Sequence, residues 1–126
     1  MSKILMAADV ALQYYNAWVV GDLDKAMFFI GETFSADAPR AGRITSRDVW
    51  RATLQEYLGI LESSALIAAH GSADSALMLY TQDTKLFKGA PTAEHFLVQH
   101  GKITYIRVIF DRTPFEAARR QQQKIS

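Results

Sequence analysis

A chain of 126 residues, 49% hydrophobic and 21% charged, has the make-up of a soluble globular protein, and one domain over residues 1–126 accommodates it. The net charge of +1 comes from interspersed acids and bases, so no Lys/Arg stripe matches a run of phosphates and no nucleic-acid partner is expected. Without cysteine there are no disulfides, thiolate nucleophiles or sulfur-bound metals. The apolar run from Ile4 to Ala8 is broken by Asp9 and Gln13, too short for a membrane span or secretory leader, so the expectation is a cytoplasmic protein with no membrane partner.

Residues 7–20 are predicted to form a helix. Ala8, Leu12, Tyr15 and Val19 fall on one line, with Ala7, Ala11, Tyr14 and Trp18 beside it. Gly21 suits a left-handed stop, and Asp22 can cap a second helix from Leu23 to Ile30. Thr33 to Ala38 alternates up to Pro39 and reads as a short edge strand, followed by a loop at Ala41-Gly42-Arg43. Thr45-Ser46-Arg47-Asp48 has the pattern of a capping box, opening a third helix whose Trp50, Leu54, Tyr57, Leu58 and Leu61 share a face.

Beyond Glu62 the hydrophobic period changes to two. Strands are predicted over Ser64 to His70, Ser75 to Phe87, Pro91 to Gln99 and Ile103 to Phe110, with turns at Gly71 to Asp74 and at His100-Gly101-Lys102. Thr113-Pro114-Phe115-Glu116 opens a short C-terminal helix, and Gln121 to Ser126 reads as a frayed tail. Helices first and strands afterwards indicate an α+β fold, with helices on one face of a bent antiparallel sheet.

Tyr14 through Asp24, Glu94-His95-Phe96, Gly101-Lys102-Ile103 and the closing Phe110-Asp111-Arg112-Thr113-Pro114-Phe115, in this order, resemble the NTF2-like (SnoaL-like) superfamily, which includes ketosteroid isomerase. The resemblance covers essentially the whole chain. It implies a cone-shaped sheet wrapped over three N-terminal helices, a small apolar molecule inside the cone, and a homodimer formed through the sheet. Isomerase, cyclase and hydrolase chemistry on an apolar carbonyl compound all stay open, as does a non-catalytic ligand-binding or interaction module.

Carried over residue by residue, the resemblance places Tyr14 and Glu94 where the isomerases hold their oxyanion-stabilising phenol and protonated acid. The family's proton-moving base stands immediately before the strand-ending proline, and here that residue is Ala38. Asp37 is the nearest carboxylate, but a one-residue offset turns a strand side chain to the opposite face. Asp111, near where the cyclases carry an acid, falls by parity with the polar face. The Arg-x-Asp of limonene-epoxide hydrolases has no counterpart in Thr81-Gln82-Asp83-Thr84, and the Tyr-Asp pair of scytalone dehydratases is replaced by Trp18-Val19.

Trp18, Phe28, Phe29, Trp50, Tyr57 and Tyr80 form an aromatic set for the helix–sheet interface. Candidate lining residues for a flat, apolar ligand are Trp18, Trp50, Tyr57, Tyr80, Phe96, Val108 and Phe110. His70, His95 and His100 lack metal-ligand spacing, so neither a metal nor a cofactor is expected. Most of these aromatic positions are expected to be core, with two or three lining a cavity, and the histidines are expected to be structural.

Overall fold

The computed structural model describes residues 6–125. Residues 1–5, including the start of the Ile4 apolar run, and Ser126 lie outside the described residues. In chain order the elements are α1 (Ala7–Val19), α2 (Leu23–Phe28), β1 (Ile30–Ala38), β2 (Gly42–Ile44), α3 (Arg47–Leu58), β3 (Leu61–Gly71), β4 (Ser75–Thr84), β5 (Ala90–Gln99), β6 (Lys102–Phe110) and α4 (Thr113–Ile125). The fold is α+β, with six strands in the order β2-β1-β6-β5-β4-β3 forming one open, curled sheet.

Helix α1 crosses the inner face of that sheet and touches β3, β4, β5 and β6. Its buried line is Ala7, Val10, Ala11, Tyr14, Tyr15, Ala17 and Trp18, whereas Ala8, Leu12 and Val19 are only partly covered. The helix is therefore rotated towards the second of the two lines read from the sequence. Gly21, at φ +84°, ends it: its N–H donates to Trp18 O and the Asp22 N–H to Ala17 O, which satisfies two end carbonyls. Asp22 then accepts from the Lys25 N–H at 3.2 Å and starts α2.

Helix α2 stops at Phe28 rather than Ile30, because β1 begins at Ile30, where the Ile103 N–H already donates to Phe29 O. Strand β1 is longer than expected and lies inside the sheet. Its outer neighbour is β2, pairing Ala36 with Ile44 and Ala38 with Gly42 where a loop was expected. Its inner neighbour is β6, and that pair runs parallel, so the sheet is mixed. Three residues of β2 were too few to show periodicity in the sequence. Ser46, not Thr45, caps α3 by accepting from the Val49 N–H.

Strand β4 ends at Thr84 instead of Phe87, because the Thr84 hydroxyl accepts from the Leu86 and Phe87 N–H groups and turns the chain. The β5–β6 turn uses left-handed His100 and Gly101, the geometry a two-residue hairpin loop needs. Helix α4 continues to Ile125, so residues 121–125 are helical where a frayed tail was expected. Its Phe115 packs on Phe110 and Phe87.

Gly71 closes the β3–β4 hairpin so tightly that a Cβ there would lie 2.5 Å from Ser75 O. The obstacle is backbone and cannot swing aside. Gly71→Ala should therefore cost about 1–3 kcal/mol, read as a lowered midpoint in thermal unfolding.

Candidate functional site

A cavity of about 410 Å³ lies between α1, α3, α4 and the inner face of β4, β5 and β6. Alternation along the strands decides what faces it. On β4, Met78, Tyr80 and Gln82 are buried while Leu77 and Leu79 are exposed, and on β5 the buried set is Thr92, Glu94, Phe96 and Val98. Tyr80, Gln82 and Glu94 reach the cavity from the sheet, Tyr14 and Trp18 from α1, and Trp50 and Tyr57 from α3.

Polar contacts inside this aromatic shell are few and specific. Trp50 Nε1–H donates to the Tyr14 hydroxyl at 2.9 Å, so the phenol's own proton is left pointing elsewhere. The Tyr80 hydroxyl donates to Glu94 Oε1 in a buried hydrogen bond. Burial pushes the Glu94 carboxyl up to about 7, against the opposing pull of the Tyr80 bond. Burial and the neighbouring Glu94 carboxyl likewise push Tyr14, Tyr57 and Tyr80 above the ordinary phenol range, which keeps all three neutral. Gln82 is held by its Nε2–H donating to Thr92 Oγ1 at 2.8 Å.

Three buried polar atoms on the cavity residues are left without a hydrogen-bond partner: Trp18 Nε1, Gln82 Oε1 and Glu94 Oε2. A buried polar group left unsatisfied costs about 1–3 kcal/mol. An indole donor, an amide acceptor and a carboxyl that is neutral below about pH 7 thus share one mainly apolar cavity. No group of three His, Asp or Glu side chains among the described residues is placed to hold a metal ion.

The chain is similar over 94% of its length to 97% of a protein of known structure from Kribbella flavida DSM 17836, at 43% identity and a TM-score of 0.89. An NTF2-like protein of unknown function from Cytophaga hutchinsonii ATCC 33406 matches 91% of this chain and 99% of its own, at 16% identity and a TM-score of 0.77. The chain has the NTF2-like fold. An LEH-like epoxide hydrolase from M. tuberculosis shares the NTF2-like fold at 17% identity and a TM-score of 0.72, covering 89% of this chain and 87% of that one. No family model matches the chain, and no curated protein does either.

Within the NTF2-like cone, Tyr14 and Glu94 line the same cavity, together with Trp18, Trp50, Tyr57, Tyr80, Val108 and Phe110. Two of the sequence candidates are elsewhere. Phe96 is wholly buried behind the wall, edge-on to the Tyr14 ring at 6.0 Å, and is part of the core rather than the lining. Asp37 is on the outer face, where it accepts from Tyr105 at 2.6 Å and Arg43 at 2.7 Å, and Ala38 faces the cavity in its stead. The irregularity in β1 lies between Ile30 and Ser35, upstream of Asp37, and does not turn it inwards. The Tyr105 bond and the two nearby arginines hold its carboxyl below the usual range.

Phe28 also departs from the expected aromatic interface. It is exposed, with Lys102 Nζ 3.5 Å above its ring. Asp111 accepts from the Thr113 N–H at 2.9 Å and so sets the turn into α4, while Arg112 pairs with Glu116 instead of Asp111. His95 is on the outer side, bonded to Ser75.

Gln82 was not among the candidate residues read from the sequence, although it is two residues beyond Tyr80 on a strand of strict alternation. Nor were Arg40, Phe115 and Arg119, which close the outer part of the cavity. Their signal is absent from local pattern, since it depends on α4 folding back beside the β1–β2 turn. Arg112 joins the two by donating to Pro39 O at 3.1 Å and to Glu116.

Proposed function

We propose that residues 1–126 act as one NTF2-like unit that binds a small, mainly apolar carbonyl or hydroxyl compound and polarises its oxygen through neutral Glu94 and Tyr14. The observation that carries this reading is the set of three unpartnered polar atoms at the buried end of a mainly apolar cavity. A ligand oxygen would accept one hydrogen bond from the protonated carboxyl at Glu94 Oε2 and one from the Tyr14 phenol, which Trp50 makes a better donor by bonding to its oxygen. Charge developing on that oxygen, as in an enolate, would then be stabilised in a water-poor setting.

Carbon-bound protons of a flat aryl ketone such as 1-tetralone report on this directly. In deuterated buffer below pH 7 the protein should accelerate exchange at the carbon next to the carbonyl, with solvent base taking the proton. Glu94→Gln or Tyr14→Phe should reduce that acceleration by about 10²-fold, the typical effect of losing one such donor. Asp37→Asn, on the other face of the sheet, should leave it intact. Tight binding without any exchange would instead favour a non-catalytic ligand-binding module, the reading supported by Ala38 at the family's base position.

The same proposal includes a homodimer through the outer sheet face. Supporting it are Leu77, Leu79, Leu97 and Ile109, exposed on neighbouring strands. It also includes a cytoplasmic location. No helix among the described residues is long and apolar enough to cross a membrane.

A further inference from the structure

The cavity has two chemically different ends. Its buried end carries Tyr14, Trp18, Tyr80, Gln82 and Glu94, and its exposed end is ringed by Arg40, Ala41 and Glu56, with Arg112, Glu116 and Arg119 beside them. Among the ring's charges, Glu116 is taken up by Arg112 at 2.5 Å. Arg40 and Arg119 have no ion-pair or hydrogen-bond partner among the described residues, and Glu56 is the one remaining acid of the ring. The same two arginines also line a second recess immediately outside, completed by Gln122 and Gln123.

Two guanidinium groups therefore stand where the cavity meets its outer recess, on separate elements: Arg40 in the β1–β2 turn and Arg119 on α4. A guanidinium presents a planar fork that fits a carboxylate with two parallel hydrogen bonds. An anion would not go deeper. The buried end offers no cation, and a permanent charge carried there would lose its hydration without an ion partner.

We infer that the natural ligand is an amphipathic acid, with its apolar body inside the cavity and its carboxylate held at the mouth by Arg40 and Arg119. This rests on the reading of the cavity as a ligand site and adds the ligand's charge and orientation. The inner oxygen function and the outer carboxylate would then lie at opposite ends of one molecule. Such a ligand enters head-out, and its reacting end is chosen by where its charge must stay.

A matched pair of probes tests this on the intact protein: naphthalene-2-acetic acid and its primary amide, followed by quenching of Trp18 and Trp50 fluorescence and by calorimetry at pH 7.5. The acid should bind about tenfold more tightly than the amide, a preference that weakens with added salt. The Arg40→Gln/Arg119→Gln double variant should bring the two probes close to parity. Both side chains are at the rim, and a far-ultraviolet circular dichroism spectrum checks that the variant is folded. Equal affinity of acid and amide for the wild type, or a preference that survives the double variant, overturns the inference while leaving the ligand site standing. Binding of neither probe overturns both.

Discussion

The stability of this protein should fall as pH rises from about 5 to 8, and Glu94→Gln should remove most of that fall. In the unfolded chain the Glu94 carboxyl ionises near 4.5, whereas burial holds it protonated in the fold up to about 7. Between those values the folded chain keeps a proton that the unfolded chain has released, so each step up in pH favours unfolding. The contribution is fully present below about 4.5 and is lost as pH passes 7. At 1.36 kcal/mol per unit, the total is about 3 kcal/mol. Urea unfolding of wild type and variant at half-unit steps from pH 5 to 8 measures the difference. Glutamine can keep a bond to the Tyr80 hydroxyl but cannot ionise, so equal pH slopes in the two proteins would show that Glu94 is ionised inside the cone.

Phe96→Ala should be among the most damaging single substitutions. The ring is fully buried under α1, against the Tyr14 edge, and its loss leaves a void that neighbouring rigid aromatic side chains cannot fill. A cost of about 3–5 kcal/mol is expected for such a truncation, measured as a drop in the denaturation midpoint. Phe96→Leu should cost roughly 1 kcal/mol and bind the naphthalene probes nearly as wild type does, because Phe96 supports the wall without forming it. A large loss of affinity in that stable variant would place the ring in the cavity after all.

These two residues also show what the sequence could and could not convey. Glu94 and Phe96 share a strand face, and period-two alternation puts both inside with no further information. It does not tell which inward residue meets the hollow and which meets α1, because that is set by the curl of the sheet and the rotation of the helix. Asp37 was the opposite case: parity alone turned it away from the hollow, and its outward bonds to Tyr105 and Arg43 agree with that. The helices were legible from Gly21 and the Asp22 cap and from the Thr45-Ser46-Arg47-Asp48 box, although the cap there proved to be Ser46. The β1–β6 pairing was not, because nothing local in Ile30–Ala38 encodes a partner so far along the chain. The rim arginines were missed for the same reason, since Arg40 and Arg119 become neighbours only through tertiary folding.

The parallel pairing of β1 with β6 joins Asp37 to Arg107 across most of the sequence. During synthesis the early hairpin of β1 and β2 must wait for almost the entire chain to emerge before its inner edge is covered. The helical floor can assemble early, but the chamber above it closes only in the final step. A ribosome-stalled chain ending before Lys102 would therefore carry Tyr14, Trp50 and Glu94 yet lack the wall that keeps solvent from them, and the chamber would be complete only once the last strand and α4 had followed.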